Sequence, residues 1–455
     1  MRFKFLDLTD TQVKTEKGTI SLKTLFIPLF IEQLLMNMMG TVNTIILGHY
    51  SDEAVAAVGA ANQVIGLIYT FYAVISGGVS IVISHKLGAG KEQEAEDAAL
   101  SAVLVGTVIS FVSGLLLALG SVPLMKMLNL QGEVLDMAIE YFSICIRFSF
   151  LQGILSSVFA IFRSYGRPNI AVMISLLMNL INAALDYLII YRPVDIPLYG
   201  SRGIAIANVI SHIVALVIVL VVVMQKGTQL LKRLKNIQSL KYTGEIIKVG
   251  IPGGVSSLSY SLSQVVSTGI LAGLGIIALS TKIYISSIVF YVYVVGYSLG
   301  ISLAILIGWM IGAGQYERAY KLNQQVLKLS VSLNIVMSIV LFFNYRFFVG
   351  LFTGNEQIIA MARGILFIDI FVEIGRAFNH VEENSLRGAG DVNFPMIVSI
   401  LSCWFLSILF SYILGIGFGM GLYGCWIAFM LDELFRGLMF FYRFRSRKWM
   451  QKKLI

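Results

Sequence analysis

The sequence predicts an all-α membrane protein of twelve transmembrane helices, arranged as two six-helix lobes in parallel repeat. Three observations lead there. Of 455 residues, 57% are hydrophobic and 13% charged, with a mean hydropathy of +0.83; a soluble domain carries about 25% charged residues. The apolar runs are long and unbroken, as helices crossing a core of ~30 Å require, and lack the short alternation of a β-barrel. Landmarks of the first half also return in the second at one offset. Pro28 returns as Pro252, Gly88-Ala89-Gly90 as Gly312-Ala313-Gly314, and Arg163 with Gly166 and Asn169 as Arg387 with Gly390 and Asn393, each 224 residues on. Three anchors in one register argue for an ancestral duplication.

Twelve runs approach the ~20 helical residues a span needs. They cover 24–48, 57–85, 97–120, 138–162, 170–191, 203–224, 247–271, 283–311, 327–345, 361–385, 394–415 and 420–442. Between the sixth and seventh lies a basic joint carrying Lys226, Lys232, Arg233, Lys235, Lys241 and Lys248. Lys and Arg then set the orientation. With the first segment inside, one set of connections and tails collects 25 of them, and the opposite set six: Lys126, Arg192, Arg202, Lys282, Arg346 and Arg363. Both termini and the joint therefore belong in the cytoplasm. The organisation is an N-terminal segment 1–23, an N-lobe 24–224, a basic linker 225–246, a C-lobe 247–442 and a basic tail 443–455. Leu230, Leu231, Leu234 and Ile237 offer the joint one apolar helix face for the anionic inner leaflet, and a solvated tether is the alternative.

Composition and spacing also exclude function classes. The net charge of +9 is scattered among loops and ends, with no aromatic-studded motif, so it reads as topology and not as nucleic-acid binding. Cys145, Cys403 and Cys425 are odd in number and lie in apolar runs, which gives packing residues and no disulfide framework. His49, His85, His212 and His380 have no metal spacing, and neither H-E-x-x-H nor G-x-S-x-G occurs, so no enzyme and no cofactor are expected. The N-terminal stretch lacks the apolar core of a signal peptide, and the first span is expected to direct insertion.

The functional signal is the set of ionisable side chains at bilayer depth, each costing ~2.5–3.5 kcal/mol on insertion scales. Glu32 and Asn43, eleven positions apart in the first span, share a face but are separated by ~16 Å of rise. In the fifth span Asn179, Asn182 and Asp186 form a stripe at i, i+3 and i+7, and the sixth adds Asn208. The topology puts Asn43, Asp186 and Asn208 in the outer half of the bilayer, with Asn182 nearer the middle and Glu32 on the cytoplasmic side. One carboxylate among amide oxygens suits a monovalent cation or a titrating proton. Hydrogen bonding between helices is the plainer alternative. In the tenth span Asp369, Glu373, Arg376 and His380 follow i, i+4, i+7 and i+11. Glu373 and Arg376, one turn apart, either neutralise each other for good or exchange partners between two conformations. Arg147, Asp432, Glu433 and Arg436 are also deep, and Asp432 with Arg436 is expected as a same-helix pair.

Taken in order, Pro28, then LGHYSDEAVAAVG at 47–59, GAGKEQEAEDAA at 88–99, MNLINAALDYLII at 178–190 and SLRGAGD at 385–391 resemble the multidrug and toxic compound extrusion (MATE) transporters, over about residues 20–445. The resemblance implies two six-helix lobes around a central V-shaped cavity, and export of organic, cationic or polar aromatic compounds by antiport with H⁺ or Na⁺. Asn182 and Asp186 match the family's N-lobe Asn and Asp, which are tied to cation binding. Asn43 stands where many members have Asp, and Asn208 where many have Thr, which puts Na⁺ affinity at Asp186 in question. Arg376 stands where one branch has an acid, and Tyr260 lies near a seventh-span carboxylate of that branch. The expected protein is thus a monomeric cell-membrane antiporter acting on small organic substrates within the lipid bilayer, with no nucleic-acid partner. Its coupling residues are Glu32, Asn43, Asn182, Asp186 and Asn208, with the polar stripe Asp369, Glu373, Arg376 and His380 in the C-lobe. The alternative is a flippase for a lipid-linked or glycolipid substrate on the related lobed architecture. That reading asks for a strongly basic interior, and only Arg147, Arg376 and Arg436 are deep and basic.

Overall fold

The structure, a computed structural model, describes residues 12–15, 18–48, 51–128, 130–191, 199–225 and 241–452. An antiparallel hairpin, β1 (Gln12–Thr15) and β2 (Gly18–Ser21), pairs Gln12 with Ser21 and Thr15 with Gly18. The first half then contains α1 (Leu22–Gly48), α2 (Asp52–Gly88), α3 (Glu92–Leu119), α4 (Ser121–Lys126), α5 (Gly132–Arg147), α6 (Ser149–Ser164), α7 (Pro168–Tyr191) and α8 (Gly200–Gln225). The second contains α9 (Thr243–Ala272), α10 (Ile276–Gly312), α11 (Tyr316–Phe343), α12 (Tyr345–Gly350), α13 (Glu356–Gly388), α14 (Asn393–Ser402) and α15 (Gly421–Arg445). Counting α5 with α6, and α14 with its continuation to Gly417, as one each, the described residues hold twelve long helical segments. Seven helices are long and apolar enough to cross a membrane, eight with the α5–α6 pair. α13 and α15 fall short because they carry the acids and arginines described below.

The duplication is legible in the helix ends. α2, α3, α4 and the α5–α6 pair begin and end 224 residues before α10, α11, α12 and α13. Pro28 and Pro252 lie inside α1 and α9 at equivalent places. Gly90, Gly166, Gly314 and Gly390 each take a positive φ just beyond a helix end. The following amide then bonds five residues back, Lys91 to Lys86, Arg167 to Phe162, Gln315 to Met310 and Asp391 to Leu386. These four turns are one helix-ending motif, in which glycine avoids the Cβ clash of the left-handed conformation.

Two compact units form. One comprises Ile27–Ile83 and Glu92–Gly254, the other Met1–Phe26 as far as described, Ser84–Lys91 and Val255–Ile455. The first packs Ala54, Ala57, Ala61, Phe142 and Ile146 into its core. The second is built around α10, of which 89% of the most apolar stretch is buried, against 28% for α3. Within this second unit a Cβ on Gly88 would strike the Trp309 carbonyl, and one on Gly312 the His85 carbonyl. His85 and Trp309 are themselves 224 apart, so the crossing is reciprocal. Small residues at such crossings let backbones approach where lipid gives no hydrophobic drive.

Two spans differ from their expected form. The fourth, expected as one run over 138–162, bends by 46° between α5 and α6, where Phe148 leaves helical geometry at φ −97 and ψ 8. Arg147, expected deep, ends α5 at this bend and is exposed. The eleventh opens beyond Ser402 into wider turns over Cys403–Leu409 and Ser411–Gly417. The apolar face weighed for the basic joint falls on 226–240, outside the described residues.

Candidate functional site

Polar groups gather in each unit separately. In the first, α7 carries Asp186 (3% exposed) and, one turn before it, Asn182 (7%). Asp186 makes no hydrogen bond or ion pair among the described residues, and its Oδ1 is wholly buried. It acts electrostatically on Tyr141 and Cys145 of α5. The Tyr141 hydroxyl donates to Asn62 Oδ1 of α2 at 3.1 Å. Asn208 on α8 is half-buried, and its carbonyl accepts from His212 Nδ1 at 2.7 Å, while His212 Nε2 lies 3.1 Å from Gln152 Oε1. Asn179 turns back to its own helix, donating to the Ser175 carbonyl. Asn43 lies on α1, with its side chain outside the described set. Glu32, also on α1, is 4% exposed, and Arg163 Nη2 of α6 donates to its Oε1 at 2.6 Å. It is held as half of an ion pair and is not brought to Asp186.

The second unit holds a denser arrangement between α13 and α15. Arg376 Nη1 donates to Glu373 Oε1 at 2.5 Å, and its Nε lies 4.0 Å from Glu433 Oε1. Arg436 Nη2 reaches Asp432 at 2.9 Å, the expected same-helix pair, and Glu433 at 2.7 Å. Neutral donors complete the carboxylates: Trp426 Nε1 to Asp369 at 3.0 Å, Asn334 Nδ2 to Glu373 at 3.0 Å, Asn379 to Glu433 and Ser402 to Asp432. Arg376 lies over the rings of Tyr293 and Phe429 at 4.9 and 5.0 Å, and Arg436 over Tyr260 at 5.7 Å. The His380 ring meets Tyr297 edge-on at 5.4 Å. The two helices come this close because Gly375 lies against the Glu433–Leu434 backbone. Four buried acids therefore face two guanidinium groups. Fully ionised, the cluster keeps two negative charges without a counter-charge, and an uncompensated buried carboxylate is costly enough to draw in a proton or a cation.

Sequence reading brought Asp369, Glu373 and Arg376 together correctly as neighbours on one helix, and named the α15 charges without linking them to α13. It missed Asn334, Asn379, Trp426 and Gln152. Asn334 had a signal: with Ser330 and Ser338 it interrupts an apolar run at four-residue spacing. Trp426 and Gln152 had none, because aromatic and amide residues are ordinary in such helices. An apolar crevice of about 520 Å³ between α10, α11 and α12, lined by Ile288, Tyr291, Met337, Phe348 and Phe352, contains none of these groups.

Comparison with known proteins agrees with this architecture. The MatE family model matches twice, over residues 28–188 and 252–413, one match in each half. An uncharacterised transporter of Bacillus subtilis, YisQ, is 33% identical over 96% of this chain and 97% of its own length. A probable multidrug resistance protein NorM of Thermotoga maritima is 25% identical over 95% of this chain and 93% of its own. A crystal structure of a MATE transporter in complex with MaD3S superposes with a TM-score of 0.85 at 19% identity, covering 94% of this chain and 95% of that one. These matches favour multidrug efflux over the flippase reading. Two family-model matches offset by one half of the chain, on twelve helices with buried carboxylates, mean that this multi-pass membrane protein belongs to the MatE family of multidrug and toxic compound extrusion transporters.

Proposed function

We propose that the protein exports small organic compounds, cationic or polar aromatic, from the cytoplasm by antiport with H⁺ or Na⁺. It works as a monomer in the cell membrane with both termini cytoplasmic. The observation that carries the reading is Asp186, a buried carboxyl with no hydrogen bond or ion pair among the described residues. Such a group either accepts an ion or stays neutral, and the two states hold a cationic solute differently. Asn182 beside it, and Asn43 and Asn208 on α1 and α8, offer amide oxygens to the same ion. In the second unit Glu373, with Asp369 and His380 near it, is the second exchange group, since its cluster carries two negative charges beyond its arginines.

An ion reaching these acids from outside neutralises them, loosens their hold on the solute and favours release; the ion then leaves to the cytoplasm. One charge moving through ~100 mV supplies ~2.3 kcal/mol, about a fifty-fold concentration ratio. The apolar crevice at α10–α12 offers a cation no counter-charge and is not assigned to the substrate. The test is efflux of a fluorescent organic cation from reconstituted vesicles, with the Na⁺ and pH gradients imposed separately. Asp186→Asn is expected to abolish gradient-driven efflux while the protein still inserts. Full transport by that variant removes Asp186 from the mechanism.

A further inference from the structure

The hydrogen bonding of Asn334 is one-sided. Its Nδ2 donates to Glu373 Oε2 at 3.0 Å and to the Glu373 carbonyl at 3.3 Å, whereas its buried Oδ1 accepts from no described residue. One turn earlier on α11, Ser330 is fully buried and its hydroxyl also has no partner among the described residues. Facing both is Gly296 on α10. The place a first side-chain carbon would take there has polar atoms as its three nearest neighbours: Ser330 Oγ at 2.9 Å, Asn334 Oδ1 at 3.6 Å and Asn334 Nδ2 at 3.7 Å. The notch left by this glycine is thus one atom wide and polar on the α11 side. Buried amide and hydroxyl groups are almost always satisfied, and where protein groups do not serve, a water with two to four polar partners does.

We propose that Asn334 is a positioning residue that senses the protonation of Glu373, through one buried water held in the Gly296 notch with Ser330. This deepens the exchange role given above to Glu373 and rests on it. While Glu373 is ionised, the amide presents Nδ2 to the carboxylate and the water donates to Oδ1. When Glu373 takes a proton, its O–H needs an acceptor. Half a turn of the amide about Cβ–Cγ supplies Oδ1 there and gives Nδ2 to the water, with no change of shape. The only bond made or broken is the O–H of Glu373. One proton thereby selects between two hydrogen-bonded arrangements of α10, α11 and α13, the kind of local bistability a transport cycle uses.

The charged and titratable groups facing Glu373 are Asp369, Arg376 and His380 on its own helix, Tyr260 on α9, Tyr293 on α10, and Asp432, Glu433 and Arg436 on α15. From α11 the side chain that reaches it is Asn334, which does not titrate. A shift produced by changing the notch therefore reports the amide and its water, with every neighbouring charge left in place.

The test is an infrared titration of the full-length protein in detergent, following the carboxyl C=O band that Glu373→Gln deletes. It needs no transport, so it is separable from the antiport reading. Asn334→Leu removes a hydrogen bond to a charged acceptor and moves the midpoint up by about one pH unit. Gly296→Ala displaces the water and leaves Nδ2 unmet in the protonated state. An unmet buried N–H is harder to accommodate than an unmet C=O, so this midpoint moves down by about half a unit. Ser330→Ala moves it the same way by less, and Ser330→Thr restores the wild-type value, which keeps the test available if Gly296→Ala does not insert. A purely structural hydrogen bond does not produce shifts of opposite sign. Midpoints that stay put, that all move together, or a Glu373 band that never titrates overturn the proposal. Normal shifts in a protein whose efflux ignores the pH gradient overturn proton antiport instead.

Discussion

The two halves solve the same problem, a carboxylic acid inside a membrane protein, in opposite ways. In the second half α13 runs unbroken for 33 residues and places Glu373 in a net of two arginines, three other acids and neutral donors. Counting back 224 residues, Glu373 becomes Ser149 and its preceding residue Phe148, the place where the first half bends. The first half has no acid there. Its own acid, Asp186, lies where the second half has Phe410, and Glu32 where it has Ser256. The duplication therefore preserved the helices and moved the charges. A lone acid depends on an ion from outside for its charge balance, whereas a networked one is held by fixed neighbours. The first arrangement suits exchange, and the second suits a switch between internal partners.

The largest expected effect comes from cutting the net. Arg436→Met leaves Asp432 and Glu433 buried without their main counter-charge, and removing one partner of a buried pair costs about 3–5 kcal/mol. A pronounced fall of the melting temperature in detergent is expected. Adding Asp432→Asn and Glu433→Gln should recover most of it, because neutral amides still accept from Ser402 and pair with Asn379. Asp186→Asn, which leaves no counter-charge behind, should leave thermal stability within about 0.5 kcal/mol while stopping efflux. Equal destabilisation by both changes would mean that the halves do not differ in this way.

A middle case sharpens the comparison. Glu32 and Arg163 form a single pair at 2.6 Å, with Glu32 Oε2 and Arg163 Nε lacking partners among the described residues. Arg163→Met should cost about 2–3 kcal/mol, less than Arg436→Met because it strands one acid and not two. The double variant with Glu32→Gln should be nearer to wild type than either single change, a coupling measurable by a double-mutant cycle of melting temperatures.

How far these arrangements were readable in the sequence follows from what each depends on. The helices and the repeat were readable because apolar run length and a constant offset are properties of the chain alone. Asp186, Glu373 and Arg376 stood out because a charge in an apolar run is rare. Which acid had a partner was not readable, since Asp432 and Glu433 lie about sixty residues from Glu373 and Asp369, and their approach depends on Gly375 against the α15 backbone. The bend at Phe148 gave no warning either: no proline marks it, and Arg147 looked deep only on the assumption of a straight helix. Asn334 was overlooked because an amide carries no charge to draw attention.

The smallest effect closes the comparison from the other side. Arg346 Nη2 and Glu356 Oε2 are 3.0 Å apart, close to the 2.9 Å of Arg436 and Asp432, yet their side chains are 68% and 72% exposed. Water screens both charges and rehydrates whichever is left alone, so the geometry that is critical inside counts for little here. Glu356→Gln should change stability by about 0.5 kcal/mol or less, and that change should vanish as salt is raised. The Arg436 variants should be almost indifferent to salt, because ions do not reach the buried cluster. A salt series on both variants in one melting assay therefore separates burial from distance. If the Arg346 pair proved as costly to break as the Arg436 pair, proximity alone would explain the cluster, and the distinction between lone and networked acids would lose its physical basis.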